Sequence, residues 1–259
     1  MTKEMLGIDI GGTGIKGAPV DLSDGSFLED RFRVDTPQPS RPKAVAKVVA
    51  EVVDHFGWDG PIGVTYPGVV IDGVTLTAAN VSKRWIGRDA KELLEKATGR
   101  DVTLLNDADA AGLAEMRLGR GRGRMGTVVM LTLGTGIGSA LFTDGVLVRN
   151  TEFGHIEING KDAETRASAK VRNDKGLSWH AWAERLSEYM ARLEALISPS
   201  LIIVGGGVSR KAEHFLPLIT GVRAEIVPAK LVNNAGIVGA ALAAADALAD
   251  DPRASVRAR

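Results

Sequence analysis

At 259 residues, with 44% hydrophobic and 25% charged side chains, the chain is long enough for two domains with separate cores and too apolar for extensive disorder. Its 32 basic and 32 acidic residues cancel at neutral pH, so no global field draws it toward nucleic acid or a membrane, and any anionic ligand must be met by a local patch. The lack of cysteine excludes disulfides, thiolate catalysis and cysteine-ligated zinc.

The first apolar run starts at Met5, which leaves no room for a signal peptide. The Ala-rich stretch 235–249 is interrupted by Asp246, so no membrane span is expected and a cytoplasmic location follows. In chain order the pattern predicts strands at 5–10, 15–21 and 27–34, and a Pro-rich break at 36–42. An amphipathic helix follows at 43–56, then a short strand at 62–66, a small hairpin at 71–74, a helix at 89–97 and a buried strand at 102–105. A helix at 108–117 comes next. From Thr127 the hairpin pattern begins again, with strands at 127–133 and 137–142 and a turn at Asp144-Gly145. Later come a helix at 177–196, a strand at 201–204, a helix from near Ser209, a strand at 225–227 and a final helix from about Asn234. The recurrence of a hairpin-led α/β unit suggests a duplication.

Two glycine-rich turns stand more than a hundred residues apart, around Gly11-Gly12-Thr13 and Gly134-Thr135-Gly136. Turns with so few side chains let backbone N–H groups approach an anion closely, although a plain hairpin would use the same residues. No Walker A sequence is present, so the P-loop solution is excluded. Lys16 could bring an ammonium to the same phosphate or be a solvated strand residue. Asn106-Asp107, after a buried strand, reads either as a catalytic base with a neighbouring hydroxyl-binding amide or as an Asx pair capping the next helix. Asp109 reads as a first-turn helix residue favoured by the macrodipole. Gly205-Gly206-Gly207 forms a strand-to-helix turn that could lie against a phosphate or simply be tight. Arg117, Arg120, Arg122 and Arg124, separated by glycines, suit either a bidentate track for a linear polyanion or a solvated loop. The same choice holds for Lys170, Arg172 and Lys175.

The ordered motifs Asp9-x-Gly11-Gly12-Thr13-x-x-Lys16, Tyr66-Pro67-Gly68, Asn106-Asp107, Leu133-Gly134-Thr135-Gly136, Glu152-Phe153-Gly154-His155 and Gly205-Gly206-Gly207 resemble the ROK family of sugar kinases, over about residues 7–243. The segments 65–70, 106–112 and 150–157 are most similar to its polyphosphate glucokinase branch. The resemblance implies a duplicated, actin-like, ribonuclease H-like α/β fold with two lobes around a central cleft. Residues 1–108 would form the small lobe and 109–239 the large one, with a last helix at about 240–259 returning to the first. It implies phosphorylation of glucose, and of mannose as a second acceptor, from inorganic polyphosphate or ATP. Asp107 would be the base. Gly68, Asn80, Asn106, Glu152, His155 and Glu164 would surround the sugar; Asp9, Gly11, Gly12, Thr13, Lys16, Gly134, Thr135, Gly136 and Gly206 would hold phosphate. Asp9 would hold the hydration shell of a Mg²⁺ ion, and a homodimer is implied. Typical members follow the Gly-His with a cysteine-rich zinc site; residues 156–166 contain no cysteine, so zinc is not expected. The competing readings are a strictly ATP-dependent hexokinase of the same family, a related sugar-binding regulator, and a noncatalytic sugar-binding protein.

Overall fold

The computed structural model describes residues 3–250. Its first hairpin pairs β1 (Glu4–Ile10) with β2 (Gly14–Asp21), Ile10 lying opposite Ile15, so the four residues Gly11–Gly14 close the turn. β3 (Phe32–Asp35) extends this sheet, α1 (Pro42–His55) covers it, and β4 (Ile62–Tyr66) runs parallel to β1. Three two-residue strands, β5 (Val70–Ile71), β6 (Val74–Thr75) and β7 (Arg88–Asp89), form a small separate sheet. After α2 (Ala90–Thr98), β8 (Val102–Asn106) completes a five-stranded sheet in the order β3-β2-β1-β4-β8, and α3 (Asp107–Leu118) follows directly.

The plan then repeats. β9 (Thr127–Leu133), β10 (Ile137–Thr143) and β11 (Val146–Val148) form an antiparallel meander. A small hairpin, β12 (Glu157–Ile158) with β13 (Lys161–Asp162), leads into α4 (Glu164–Ala167), α5 (Ala169–Asp174) and the long α6 (Trp179–Ile197). β14 (Leu201–Gly205) and β15 (Glu225–Pro228) add in parallel, giving the order β11-β10-β9-β14-β15, and α7 (Ala235–Ala249) ends the described chain. Both sheets therefore share strand order and direction, two antiparallel pairings followed by two parallel ones, which is the duplicated actin-like fold. The chain divides into two compact units: unit one comprises Met1–Ala114 and Asn234–Arg259, unit two Glu115–Asn233. The sequence had suggested limits at 108 and 239. The first observed limit falls inside α3 and the second just before α7.

Each unit has its own core. Ile8, Val49, Val64 and Trp85 are among its buried members in unit one; Leu131, Trp182, Tyr189 and Val204 are among those in unit two. Glycines in the strands allow α7 to lie on the first sheet. A Cβ added at Gly7 would come within 2.0 Å of the Ile237 carbonyl oxygen, and one at Gly63 within 1.8 Å of that of Ala240. Contrary to the sequence reading, 232–249 is by length and composition apolar enough to cross a membrane. Its apolarity has a local cause, since Ile237, Val238, Ala240, Ala241 and Ala244 are buried and α7 packs on β1 and β4.

Three expectations need correction. Strand 27–34 is limited to 32–35, with Phe27 making only an isolated bridge to Val20, because the exposed Glu29 and Asp30 interrupt the pairing. The helix from near Ser209 is a kinked run of 3₁₀ turns at Gly207–His214, non-helical at Lys211. The segment 164–174 holds two short helices that went unread, since neither is long enough to show a period. The expected extension of the last helix beyond residue 250 lies outside the described residues.

Candidate active site

In unit one, strand register places Asp9 opposite Lys16 on β2 and beside Thr65 on β4, so the three side chains meet at one end of the sheet. Thr65 Oγ1 accepts from the Ile10 N–H at 3.2 Å and donates to Asp9 Oδ1 at 2.8 Å; Lys16 Nζ stands 3.8 Å from Asp9 Oδ2. The first turn of α7 adjoins this carboxylate, a Cβ at Gly236 falling 3.1 Å from Asp9 Cγ, and a helix N-terminus favours negative charge there. The carbonyls of the glycine loop are tied down from behind. Thr36 Oγ1 donates to Gly11 O at 2.6 Å, Gln38 Nε2 to Gly12 O at 3.2 Å and Arg33 Nη2 to Thr13 O at 3.2 Å. The Gly11 N–H is already given to Gly14 O at 3.1 Å, which leaves Gly12 and Thr13 as the loop's donors toward a ligand. Asn80, in the left-handed region at φ 56°, packs against Gly12, whose added Cβ would meet Asn80 Cβ at 3.2 Å.

Of the Asn106-Asp107 pair, Asn106 takes the capping role. Asn106 Oδ1 accepts from the N–H groups of Ala108 (2.8 Å) and Asp109 (3.1 Å), capping α3, while its amide donates to Gly68 O at 3.1 Å. Gly68 is pressed against the next loop, its added Cβ falling 2.9 Å from Thr77 O. Asn106 thus fixes both the helix start and the Pro-Gly loop. Asp107, the first residue of α3, carries an exposed side chain whose Oδ1 accepts from the Ala108 N–H at 2.8 Å.

Unit two repeats the loop device. Gly134 N–H donates to Gly136 O at 3.0 Å, and Gly134 O accepts from the Lys170 N–H at 3.0 Å. Gly136 lies against Glu164, whose Oε2 would be 2.3 Å from an added Cβ and which accepts from the Ile137 N–H at 3.2 Å. Ser139 holds the 151–153 segment to β10, its Oγ donating to Thr151 O at 2.7 Å and accepting from the Phe153 N–H at 3.0 Å. Gly154 permits the turn that presents Glu152 and His155, since a Cβ there would strike Ile137 O at 2.2 Å. His155 Nδ1 donates to Asp162 Oδ2 at 2.9 Å and its Nε2 stands 4.0 Å from Glu152 Oε2. The hydrogen bond to Asp162 raises the His155 pKa, with the Glu164 and Glu152 charges adding and burial opposing. Burial raises that of Glu152, with Glu164 adding and His155 opposing. The structure therefore brings Glu152, His155 and Glu164 into one electrostatic cluster.

A cavity of about 530 Å³ opens beside the second loop, lined among others by Gly134, Thr135, Lys170, Arg172, Trp179 and Lys211. The Arg172 guanidinium lies 3.4 Å above the Trp179 ring centroid, and Lys170 pairs with Asp174. Gly206 has φ 81° and an added Cβ would sit 2.4 Å from Leu133 O, so it seats the β14 turn on the residue before the loop. Two of the three glycines of the Arg117–Arg124 segment, Gly119 and Gly121, have a packing cause, while Gly123 stands in open space at φ 74°. The buried Glu115 accepts from the N–H groups of Arg120 (2.9 Å) and Leu231 (2.6 Å) and fills the space a Gly119 Cβ would need, while Gly121 lies on Met116. Arg124 pairs with Glu225. Sequence reasoning missed Thr65, Ser139 and Asp162. Only Thr65 left a usable sign, as a polar residue in an otherwise apolar buried strand beside Asp9.

Two anion-ready hairpins on a duplicated actin-like frame, with a polar cluster beside one of them, define the sugar kinase and actin class of architecture. Residues 5–170 match the ROK family, and the chain belongs to that family. It is 54% identical over 239 residues to a polyphosphate glucokinase of Mycobacterium tuberculosis, covering 92% of this chain and 90% of that protein. Its structure is similar to the inorganic polyphosphate/ATP-glucomannokinase of Arthrobacter sp. strain KM, with TM-score 0.91 and 52% identity over 95% of this chain and 100% of that one. A ROK family glucokinase from Streptomyces griseus in complex with glucose and AMPPNP matches with TM-score 0.79 and 27% identity, covering 94% and 99%.

Proposed function

We propose that this chain is a polyphosphate–glucose phosphotransferase, moving the terminal phosphoryl group of inorganic polyphosphate, or less efficiently of ATP, to the primary hydroxyl of glucose. The observation that carries this is the 54% identity to a polyphosphate glucokinase across 92% of the chain. Phosphoryl transfer asks a protein for positioning and compensation of charge, and the two glycine loops and the basic side chains beside the second support that reading.

Asp107 takes the proton of the attacking hydroxyl as the oxygen–phosphorus bond forms, and the bridging P–O bond breaks to release a chain one phosphate shorter. Its exposed place at the start of α3, held by the Asn106 cap, supports that role. Glu152, His155 and Glu164 bind sugar hydroxyls as fixed acceptors and a donor, and Gly68 and Asn80 bound the acceptor and phosphate loops. Gly12, Thr13 and Lys16 in unit one, and Thr135 and Gly136 in unit two, meet phosphate oxygens. Gly11, Gly134 and Gly206 shape those loops. Lys170 and Lys211 line the cavity beyond Gly134 and suit the rest of a polyanionic donor. Among the described residues no group of three or more acidic or histidine side chains is arranged to hold a metal ion directly, and the partly buried Asp9 carboxylate, a hard oxygen donor oriented by Thr65, fits a hydrated Mg²⁺ held through water. Magnesium there would neutralise phosphate charge. Mannose as a second acceptor, a homodimer and a cytoplasmic location complete the proposal.

A coupled assay for glucose 6-phosphate with each donor tests it. Turnover with polyphosphate is expected; turnover with ATP alone would favour an ATP-dependent hexokinase, and none with either donor a noncatalytic sugar-binding protein.

A further inference from the structure

A second cavity in unit two, of about 320 Å³, is lined by Asn159, Lys161, Thr165, Arg166, Lys175 and Arg185. Four of these six are cations. Arg166 Nη2 donates to Glu188 Oε2 at 2.7 Å, and the other Glu188 oxygen accepts from Asn159 Nδ2 at 2.9 Å. Arg185 Nη1 donates to the backbone oxygen of Arg166 at 3.1 Å, a neutral acceptor that does not offset the guanidinium charge. Among the described residues no carboxylate stands within ion-pair distance of Lys161, Lys175 or Arg185. Three unneutralised positive charges facing one concavity repel one another and focus a field that an anion relieves.

The position of the cavity narrows the kind of anion. α5 carries Lys170, Arg172, Asn173 and Asp174, which line the first cavity, and the next residue, Lys175, lines the second. A helix of six residues is only about 9 Å long, so the two cavities are successive along one basic edge whose other end is the Gly134–Thr135 loop. A small anion would need one or two of these cations. A linear chain of phosphates would use both cavities in turn.

We propose that the Lys161, Arg166, Lys175 and Arg185 cavity holds the distal part of a long inorganic polyphosphate whose transferred end lies at the Gly134–Gly136 loop. This rests on the donor reading above. The cavity adds affinity for long chains and leaves the chemical step untouched.

The test compares the wild type with a Lys161→Ala/Lys175→Ala variant, using long-chain polyphosphate, tripolyphosphate and ATP as donors. The KM for the long chain should rise about threefold to tenfold, the scale of two exposed ion pairs. Its salt slope should fall by about one per lysine removed. KM for tripolyphosphate and ATP, and kcat with all three, should not change, which also shows that the variant is folded. Lys175→Glu should give a larger long-chain effect on its own. An unchanged long-chain KM, or an equal rise for short and long donors, would overturn the proposal. So would altered inhibition by orthophosphate with an unchanged long-chain KM, which would assign the cavity to a free small anion. A wild type that uses only ATP would instead sink the donor reading itself.

Discussion

Asn106 and Asp107 are adjacent in sequence, yet Asn106 caps α3 while Asp107 is exposed and is the proposed base, so their consequences under mutation differ. Asp107→Asn keeps the shape of the α3 start but removes the proposed proton acceptor, so kcat for glucose phosphorylation should fall at least about a hundredfold with the thermal midpoint nearly unchanged. A variant with near-normal kcat would remove Asp107 from the mechanism. His155 offers a second residue-scale check. Its pKa is raised chiefly by the bond to Asp162, so the imidazolium persists above the usual 6.5 and its contribution to stability is complete below that value, declining as pH rises through the folded pKa. Asp162→Asn should move the His155 titration downward in an NMR pH series; an unmoved titration would show that the bond does not govern it. The Asp9 hairpin, the Asn106-Asp107 pair and the Glu152-Phe153-Gly154-His155 run could be singled out in sequence as candidates because their motifs are local. Thr65 and Asp162 act through neighbours 56 and 7 residues away, and only strand register or a hairpin fold reveals such pairs.

At the scale of elements, most strands and long helices were legible because apolar period and turn residues agree, as in β4, β9 and α1. The short α4 and α5 were not, and the Pro-terminated β15 was read one residue short. Glycines were legible as glycines but their reasons were not. Gly206 read as either a phosphate turn or a tight one, and the structure adds a left-handed residue pressed onto Leu133; Gly119 and Gly121, between the arginines of 117–124, serve the packing around Glu115 and Met116. This gives a paired prediction. Gly99→Ala, at φ 67° with open space around the added methyl, should cost about 1–2 kcal/mol from backbone conformation alone. Gly206→Ala must also displace the Leu133 backbone, adding about 1–3 kcal/mol of overpacking, so its denaturant midpoint should fall further. Equal losses would mean that the Leu133 contact gives way freely.

For the molecule as a whole, the duplicated strand order explains why two remote glycine turns are built alike: each joins the first two strands of the same five-stranded plan, and each gives its first glycine N–H to its own turn. The repeat was legible as a recurring hairpin pattern, while the limits of the two units were not, because the cut runs through α3, whose sequence pattern is continuous. Under the proposed reading, donor choice is likewise a property of the whole basic edge of unit two, more than of any one residue. The most direct test is the kcat/KM for glucose 6-phosphate formation with long-chain polyphosphate and with ATP, measured at two salt concentrations. We expect a higher value with polyphosphate and a steeper loss of it with salt, since a linear polyanion releases more counterions on binding. An equal or higher value with ATP, with the same salt response for both donors, would contradict the account.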